Sequence, residues 1–219
     1  MDQILNIISA ILLGYFIYLI AQIFTGVSKK LSFKSISWMP WRSNQRLYLV
    51  LMLISIFLTI YASQILILQE YLVYLFWSFS FLSIIITDLK ERKILTLNLF
   101  FLFIGGCLVN FFTYQSFFIL FSQIALGLII FLGLFLIKKV YFFIKKIDGL
   151  GMGDCILISL IGLWQGIHIT LLVVVLSSLT AMIYVLIFIK KNPLKYQLPF
   201  GSFIGVVCLI LPLVNVNLF

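Results

Sequence analysis

Two aspartates lie at the edges of long apolar runs, where a pair of carboxylates could do chemistry. Asp88 directly follows the apolar run 81–87, and Asp154 ends the glycine-rich segment Gly149–Asp154 (GLGMGD) before another apolar run. Two carboxylates that share one proton can hydrolyse a peptide bond, because one activates water while the other polarises the carbonyl. Like charges a few ångströms apart resist joint ionisation, and burial at a membrane edge strengthens that resistance. If the fold brings the two aspartates together, we expect a singly protonated pair near neutral pH.

Each aspartate also has an interpretation without chemistry. Asp88 opens the polar stretch Asp88–Lys93 (DLKERK) and could belong to a solvated turn. Asp154 precedes an apolar helix, where an aspartate makes a good N-cap. The three glycines of Gly149–Asp154 could adopt backbone conformations closed to other residues and allow close approach of helices. Residue type and position alone leave both interpretations open.

The composition indicates an integral membrane protein. Of 219 residues, 64% are hydrophobic and 10% are charged, and such a chain has too few polar side chains to cover a water-soluble surface. The net charge is +9, but all fifteen Lys and Arg lie between apolar runs, where they orient spans and do not indicate nucleic-acid binding. Cys107, Cys155 and Cys208 stand alone in apolar segments, which favours packing over a metal site or a disulfide. We expect one all-α, polytopic membrane domain over residues 1–219.

The basic residues predict the topology. They form four clusters, at 29–46, 90–93, 138–146 and 190–195. The positive-inside tendency places all four in the cytoplasm, so an even number of spans separates each cluster from the next. This predicts eight apolar segments with both termini outside, and outside turns at Gln69-Glu70 and 113–116. The stretch 155–189 is short for two spans, so we expect a break at Trp164–Gly166 and a half-length helix after Asp154. Both aspartates would then face the cytoplasm.

Three motifs follow one another along the chain. They are Asp88 followed by Lys93, Ile94 and Asn98; Gly149–Asp154 followed by 160–166 (LIGLWQG); and 198–205 (LPFGSFIG). Together they resemble the motifs of the bacterial type IV prepilin peptidases, which are aspartyl peptidases of the GxGD type. The resemblance extends over roughly 81–211, which would be the family-like core of the chain.

This resemblance implies an aspartic endopeptidase with Asp88 and Asp154 as the catalytic pair. Such an enzyme would remove the short basic leader of a type IV prepilin or pseudopilin at the cytoplasmic face of the cell membrane. Its partners would be that leader, the adjoining pilin helix and membrane lipid, with no nucleic acid. Proteolysis would need no cofactor or metal, and S-adenosylmethionine would be needed only if N-methylation of the new terminus were retained. The substrate-binding residues remain unknown, and the motif-supporting residues would be Gly151, Gly153, Pro199, Phe200 and Gly201.

The chain departs from the family pattern at three places. Leu95 stands where proline is usual, and Ile156 stands where lysine is usual after the second aspartate. The first expected cytoplasmic loop, 28–46, contains no cysteine, whereas many members carry two Cys-x-x-Cys pairs there. A zinc-bound subdomain is therefore excluded, and the missing region argues against methylation, with which it is associated. The pattern fits a reduced family member, as in Gram-positive competence systems.

Asp148 and His168 are two further polar residues whose types could contribute to a site. Asp148 is a third acidic residue close to the second motif, and a supporting or solvated role is favoured for it. His168 has no second histidine or cysteine with which to form a metal site, so we assign it no chemistry.

Other functions stay open. Intramembrane carboxylates often mark ion paths, as in a small proton-coupled transporter or channel, but such a protein should carry charges deep within its spans. Here the acidic residues other than Asp2 and Glu70 fall in expected cytoplasmic loops or at their edges, and no internal repeat pairs two halves. A non-catalytic membrane assembly protein with the same fold would satisfy the same pattern. A presenilin-like peptidase shares the Gly-x-Gly-Asp motif. It would differ in its substrate, because it cuts within membrane spans and not at a leader boundary.

Overall fold

Helices make up the described part of the chain. The computed structural model describes residues 53–54, 56–62, 68–146, 149–188 and 198–214, and these contain no strand. Residues 53–54 and 56–62 are helical. The longer helices that follow are α1 (Leu68–Glu91), α2 (Thr96–Tyr114), α3 (Phe117–Lys145), α4 (Met152–Phe188) and α5 (Phe200–Val214). The expected all-α class is confirmed.

Four of these helices suit a membrane. Helices α1 to α4 are long and apolar enough to cross a bilayer, and α5 is a shorter apolar helix. Helix α3 has large apolar side chains on its surface, where Phe118 is 84% exposed and Phe143 is 77% exposed. Lipid is the solvent that such a surface needs. The eight segments and the outside termini stay predictions, and the first expected span lies outside the described residues.

The helix ends differ in part from those expected. Helix α1 already includes Gln69 and Glu70, so the outside turn predicted there is wrong. Both residues form helices well, and an acidic residue in the first turn is favoured by the helix dipole. The turn expected at 113–116 is present, because α2 ends at Tyr114 and Gln115 adopts a left-handed conformation before α3. The side of the membrane on which this turn lies stays a prediction.

Helix α4 is broken where the break was expected. Gly166 has φ 76° and ψ 178° inside the helix, a conformation that is essentially restricted to glycine. The Thr170 hydroxyl donates a hydrogen bond of 2.7 Å to the Gly166 carbonyl just after the break. The residues from Met152 to Gln165 therefore form a half-length helix that begins beside Asp154.

The chain divides into two compact units, one of Met1–Ile86 with Leu209–Phe219 and one of Thr87–Cys208. In the described part of the first unit, the Tyr74 hydroxyl donates to the Leu209 carbonyl at 3.2 Å. Tyr74 also belongs to a buried hydrophobic cluster with Ala62 and Leu213. In the second unit, α2, α3 and α4 pack on one another. The expectation of one domain over 1–219 stays a prediction.

Helix α2 holds the first half of α4 in register. A Cβ on Gly106 would collide with Leu163, so glycine is what allows this close approach. The Trp164 indole donates to the Leu102 carbonyl at 2.7 Å. The Asn110 amide donates to the Leu163 carbonyl at 2.9 Å. This carbonyl is among the last four before the break, so it has no hydrogen-bond partner within its own half of the helix and needs one outside it. These bonds fix the half-length helix that carries Asp154.

Candidate active site

Asp88 lies in the last turn of α1, not in a solvated turn. Helix α1 continues to Glu91, and Asp88 is 5% exposed. Its Oδ2 accepts two hydrogen bonds from Ser202, one from the backbone N–H at 2.7 Å and one from the hydroxyl at 3.0 Å. The interpretation of Asp88 as a solvated turn residue is therefore wrong.

The start of α5 explains why Ser202 can reach Asp88. The helix begins at Phe200, directly after the buried Pro199. The first N–H groups of a helix have no full set of intrahelical partners, and the positive end of the helix dipole attracts a carboxylate. Close by in sequence, the Ser202 N–H also bonds to the Pro199 carbonyl at 3.1 Å. Asp88 therefore supplies the anion that this helix end favours.

Asp154 occupies the third position of α4. The helix begins at Met152, and the Cys155 N–H bonds to the Gly151 carbonyl at 3.2 Å, which makes Gly151 the N-cap. The Gly151 N–H in turn donates to the Asp154 carboxylate. An acidic side chain that reaches back to the N-cap N–H is one half of a capping box. The prediction that Asp154 itself could be the N-cap is wrong by three residues.

The glycines before Asp154 provide space and not an unusual backbone. Among the described glycines, only Gly166 has a positive φ, so the conformational role expected for Gly149, Gly151 and Gly153 is wrong. A Cβ on Gly151 would lie 2.8 Å from the Asp154 Oδ2. Any side chain at residue 151 would push that carboxylate away from its present position.

The fold brings the two aspartates together. Their carboxylates are close enough to interact electrostatically. The Ile94 side chain lies between the motifs that carry them, because a Cβ on Gly153 would be 3.2 Å from Ile94 Cβ and a Cβ on Gly201 would be 2.8 Å from Ile94 Cδ1. The same added atom on Gly201 would lie 3.1 Å from Asp88 Oδ2. Three motifs that are distant in sequence thus meet around one isoleucine.

Sequence reasoning missed two residues of this site. Ser202 lies within the motif 198–205, but its type gives no signal of a site, because a serine in an apolar helix usually bonds to its own backbone. Lys138 on α3 interacts electrostatically with Asp154, whereas the sequence presents it only as one of four clustered lysines. The sequence does carry one indication of this role: Lys138 directly follows an apolar run, as Asp88 does, and so is expected at the same membrane boundary.

The remaining candidates lie elsewhere or have no described role. His168 is exposed, two residues after the break in α4. Asp148 lies outside the described residues. Leu95 precedes α2 with φ −71° and ψ 133°, which are angles that a proline would also adopt, so leucine keeps the backbone of the family pattern. In the described ranges, no three His, Cys, Asp or Glu residues are grouped so that they could hold a metal ion.

Comparison with known proteins identifies the family. A family model described as the type IV leader peptidase family matches residues 74–186, which is more than half of the chain. That range contains Asp88, Ile94 and Asp154. No curated protein and no solved structure matches the chain significantly. The matched range includes the first two of the three motifs that the fold assembles, and the chain belongs to the type IV leader peptidase family.

Proposed function

We propose that this protein is an aspartic endopeptidase whose catalytic groups are Asp88 and Asp154. Family membership implies peptidase activity on prepilin-type substrates in general. The observation that supports the aspartic type is the convergence of the motifs of Asp88 and Asp154 around Ile94, which leaves the two carboxylates close enough to interact electrostatically. Asp88 is almost fully buried, and a pair in such surroundings shares one proton.

The proposed reaction uses that single proton. The ionised carboxylate accepts a proton from water, and the resulting oxygen nucleophile attacks the scissile carbonyl. The protonated carboxyl group donates to the carbonyl oxygen and so stabilises the tetrahedral intermediate. When the C–N bond breaks, a proton passes to the leaving amine, and the pair is left with one proton again.

The proposed substrate is the N-terminal leader of a prepilin or pseudopilin. Asp88 ends one long apolar helix and Asp154 begins another, so both belong near a membrane boundary. The basic clusters beside them favour the cytoplasmic face of the cell membrane. Cleavage would occur where a short basic leader meets the pilin helix, with no cofactor for this step. N-methylation would require S-adenosylmethionine and is not part of this proposal.

Transport is less well supported by the same positions. A carboxylate on an ion path is expected within a span, facing a cavity or another charge deep in the membrane. Asp88 lies in the last turn of α1, and Asp154 lies in the first turn of α4. Because both aspartates lie at helix ends, their positions fit a reaction at the membrane surface better than an ion path through the membrane.

The test is cleavage of a co-expressed prepilin-like substrate by the wild type and by Asp88→Asn and Asp154→Asn. Asparagine keeps the size of each side chain but cannot act as the base or share the proton, so we expect at least a thousandfold loss of cleavage. Membrane insertion is measured for each variant. The matched control is Glu70→Gln, at the other end of α1 and roughly 27 Å away, which should cut normally.

Two outcomes would count against the proposal. If either asparagine variant inserts and cuts at the rate of the wild type, the pair is not catalytic. If the wild type inserts but leaves several prepilins uncut, a non-catalytic assembly role becomes the better explanation.

A further inference from the structure

Asn98 on α2 is a buried polar residue whose amide nitrogen has no hydrogen-bond partner among the described residues. The side chain is 3% exposed, and its Nδ2 is buried. An unpaired buried amide donor loses its hydrogen bonds to water and gains none in return, so native proteins rarely retain one without a reason. Asn110, on the same helix, uses its Nδ2 for bonds to the Gly106 and Leu163 carbonyls. Burial on this helix therefore does not by itself prevent pairing.

Asn98 lies on the face of α2 that packs against α4. Residues four apart share one face of a helix, which places Asn98 in one row with Leu102, Gly106 and Asn110. That row contacts the half-length helix, since the Leu102 carbonyl accepts from Trp164 and Asn110 donates to Leu163.

The register places Asn98 at the level of Asp154. Ile94 packs against Gly153, and Asn110 bonds to Leu163, so α2 and the first half of α4 run in the same direction. From Asn110 back to Asn98 is about 18 Å along α2, and from Leu163 back to Asp154 is about 13 Å along α4. The difference is about one helical turn. The unpaired Asn98 Nδ2 therefore lies on the α4-facing side of α2, within about one helical turn of the level of Asp154.

Among the described residues, the hydrogen bonds to the two carboxylates come from Ser202 and Gly151, so the Asn98 Nδ2 is left for an acceptor that arrives with a ligand. A peptide in this site brings backbone carbonyl oxygens. We propose that the Asn98 amide donates a hydrogen bond to the oxygen of the scissile carbonyl, an assignment that rests on the proposed peptidase function. As water adds, negative charge develops on that oxygen, and a preorganised buried donor stabilises it. Asn98 keeps its proton throughout, and the acid–base pair performs the transfers.

The experiment compares Asn98→Leu with Asn110→Leu, since leucine replaces the amide by an apolar group of similar shape. We measure kcat and KM for cleavage of a prepilin-like peptide by purified protein, together with the thermal unfolding midpoint. For Asn98→Leu we expect a fall in kcat of about a hundredfold, little change in KM, and an equal or higher unfolding midpoint. For Asn110→Leu we expect a lower midpoint with cleavage retained below it, because its two hydrogen bonds are structural.

Either of two results would overturn the inference. Cleavage by Asn98→Leu at the rate of the wild type would show that the amide does not act on the substrate. A loss of unfolding midpoint as large as that of Asn110→Leu would show that the amide is already paired. Wild-type cleavage in the same assay separates these results from failure of the proposed function, because an inactive wild type would remove both proposals.

Discussion

Asp88 and Asp154 are each held by a main-chain N–H at the start of a helix. The Ser202 N–H bonds to Asp88, and the Gly151 N–H bonds to Asp154. Ser202 adds its hydroxyl at 3.0 Å to the same Asp88 oxygen. A hydrogen bond to a charged group is stronger than one between neutral groups, so this hydroxyl should help to orient the carboxylate.

Ser202→Ala tests that contribution. The variant loses the hydroxyl bond but keeps the N–H bond, so we expect kcat/KM for leader cleavage to fall about tenfold, the equivalent of about 1.4 kcal/mol. The control is Ser178→Ala, whose exposed hydroxyl bonds only to the Val174 carbonyl of its own helix. Equal rates for the two variants would show that the Ser202 hydroxyl has no part in turnover.

At the residue scale, the sequence identifies carboxylates better than their partners. Asp88 and Asp154 are recognisable because an acidic residue at the edge of an apolar run is costly and therefore conspicuous. Ser202 and Asn98 are small polar residues, and only the packed helices show that one donates to Asp88 and the other is unpaired. The close approach of Gly151 to the Asp154 carboxylate is likewise a property of the folded chain.

At the element scale, the break in α4 was predictable and the helix ends were not. The stretch 155–189 is too short for two full spans, and Gly166 is the residue that accepts the required backbone conformation. By contrast, α1 continues past Asp88 to Glu91, because Leu, Lys and Glu are good helix formers. A change from apolar to polar residues marks a membrane boundary more reliably than a helix end.

Gly166→Ala and Gly133→Ala form a matched pair for the break. An added Cβ meets nothing within 4 Å at either position, so crowding is absent in both variants. At Gly166, alanine must adopt a positive φ, and we expect a loss of about 1–3 kcal/mol and a lower unfolding midpoint. At Gly133, in the middle of α3, alanine favours the helix and the midpoint should stay equal or rise. Equal shifts in detergent-solubilised protein would show that the break carries no strain for other residues.

At the scale of the whole molecule, the surface of the helices is suited to lipid, and the basic residues indicate how the helices are oriented in the membrane. Apolar side chains cover the exposed surface of the long helices, and lysines and arginines gather at particular helix ends. Composition was enough to predict a helical membrane protein. The number of spans depends on parity arguments that extend to residues 1–52, outside the described part, and the eight expected segments therefore remain a prediction.

Labelling of single cysteines tests the sidedness of α2 and α3. The background replaces Cys107, Cys155 and Cys208 by alanine, and cysteine is then introduced at Lys93, Gln115 or Lys146. Helix α2 is roughly 28 Å long, enough to place its ends on opposite sides of the hydrocarbon core. We expect an impermeant maleimide to label position 115 in intact cells and positions 93 and 146 only after the membrane is opened. Labelling of all three from outside would contradict the predicted cytoplasmic site.

The main-chain donors to the two carboxylates have an evolutionary consequence. Every amino acid except proline carries a backbone N–H, so most substitutions at Ser202 would leave one bond to Asp88 in place. Inheritance of that bond depends on where the helix begins and not on which side chain is encoded there. Lineages of this enzyme can therefore diverge at residue 202 while keeping the orientation of Asp88, whereas Gly151 is constrained by the space that its neighbour's carboxylate occupies.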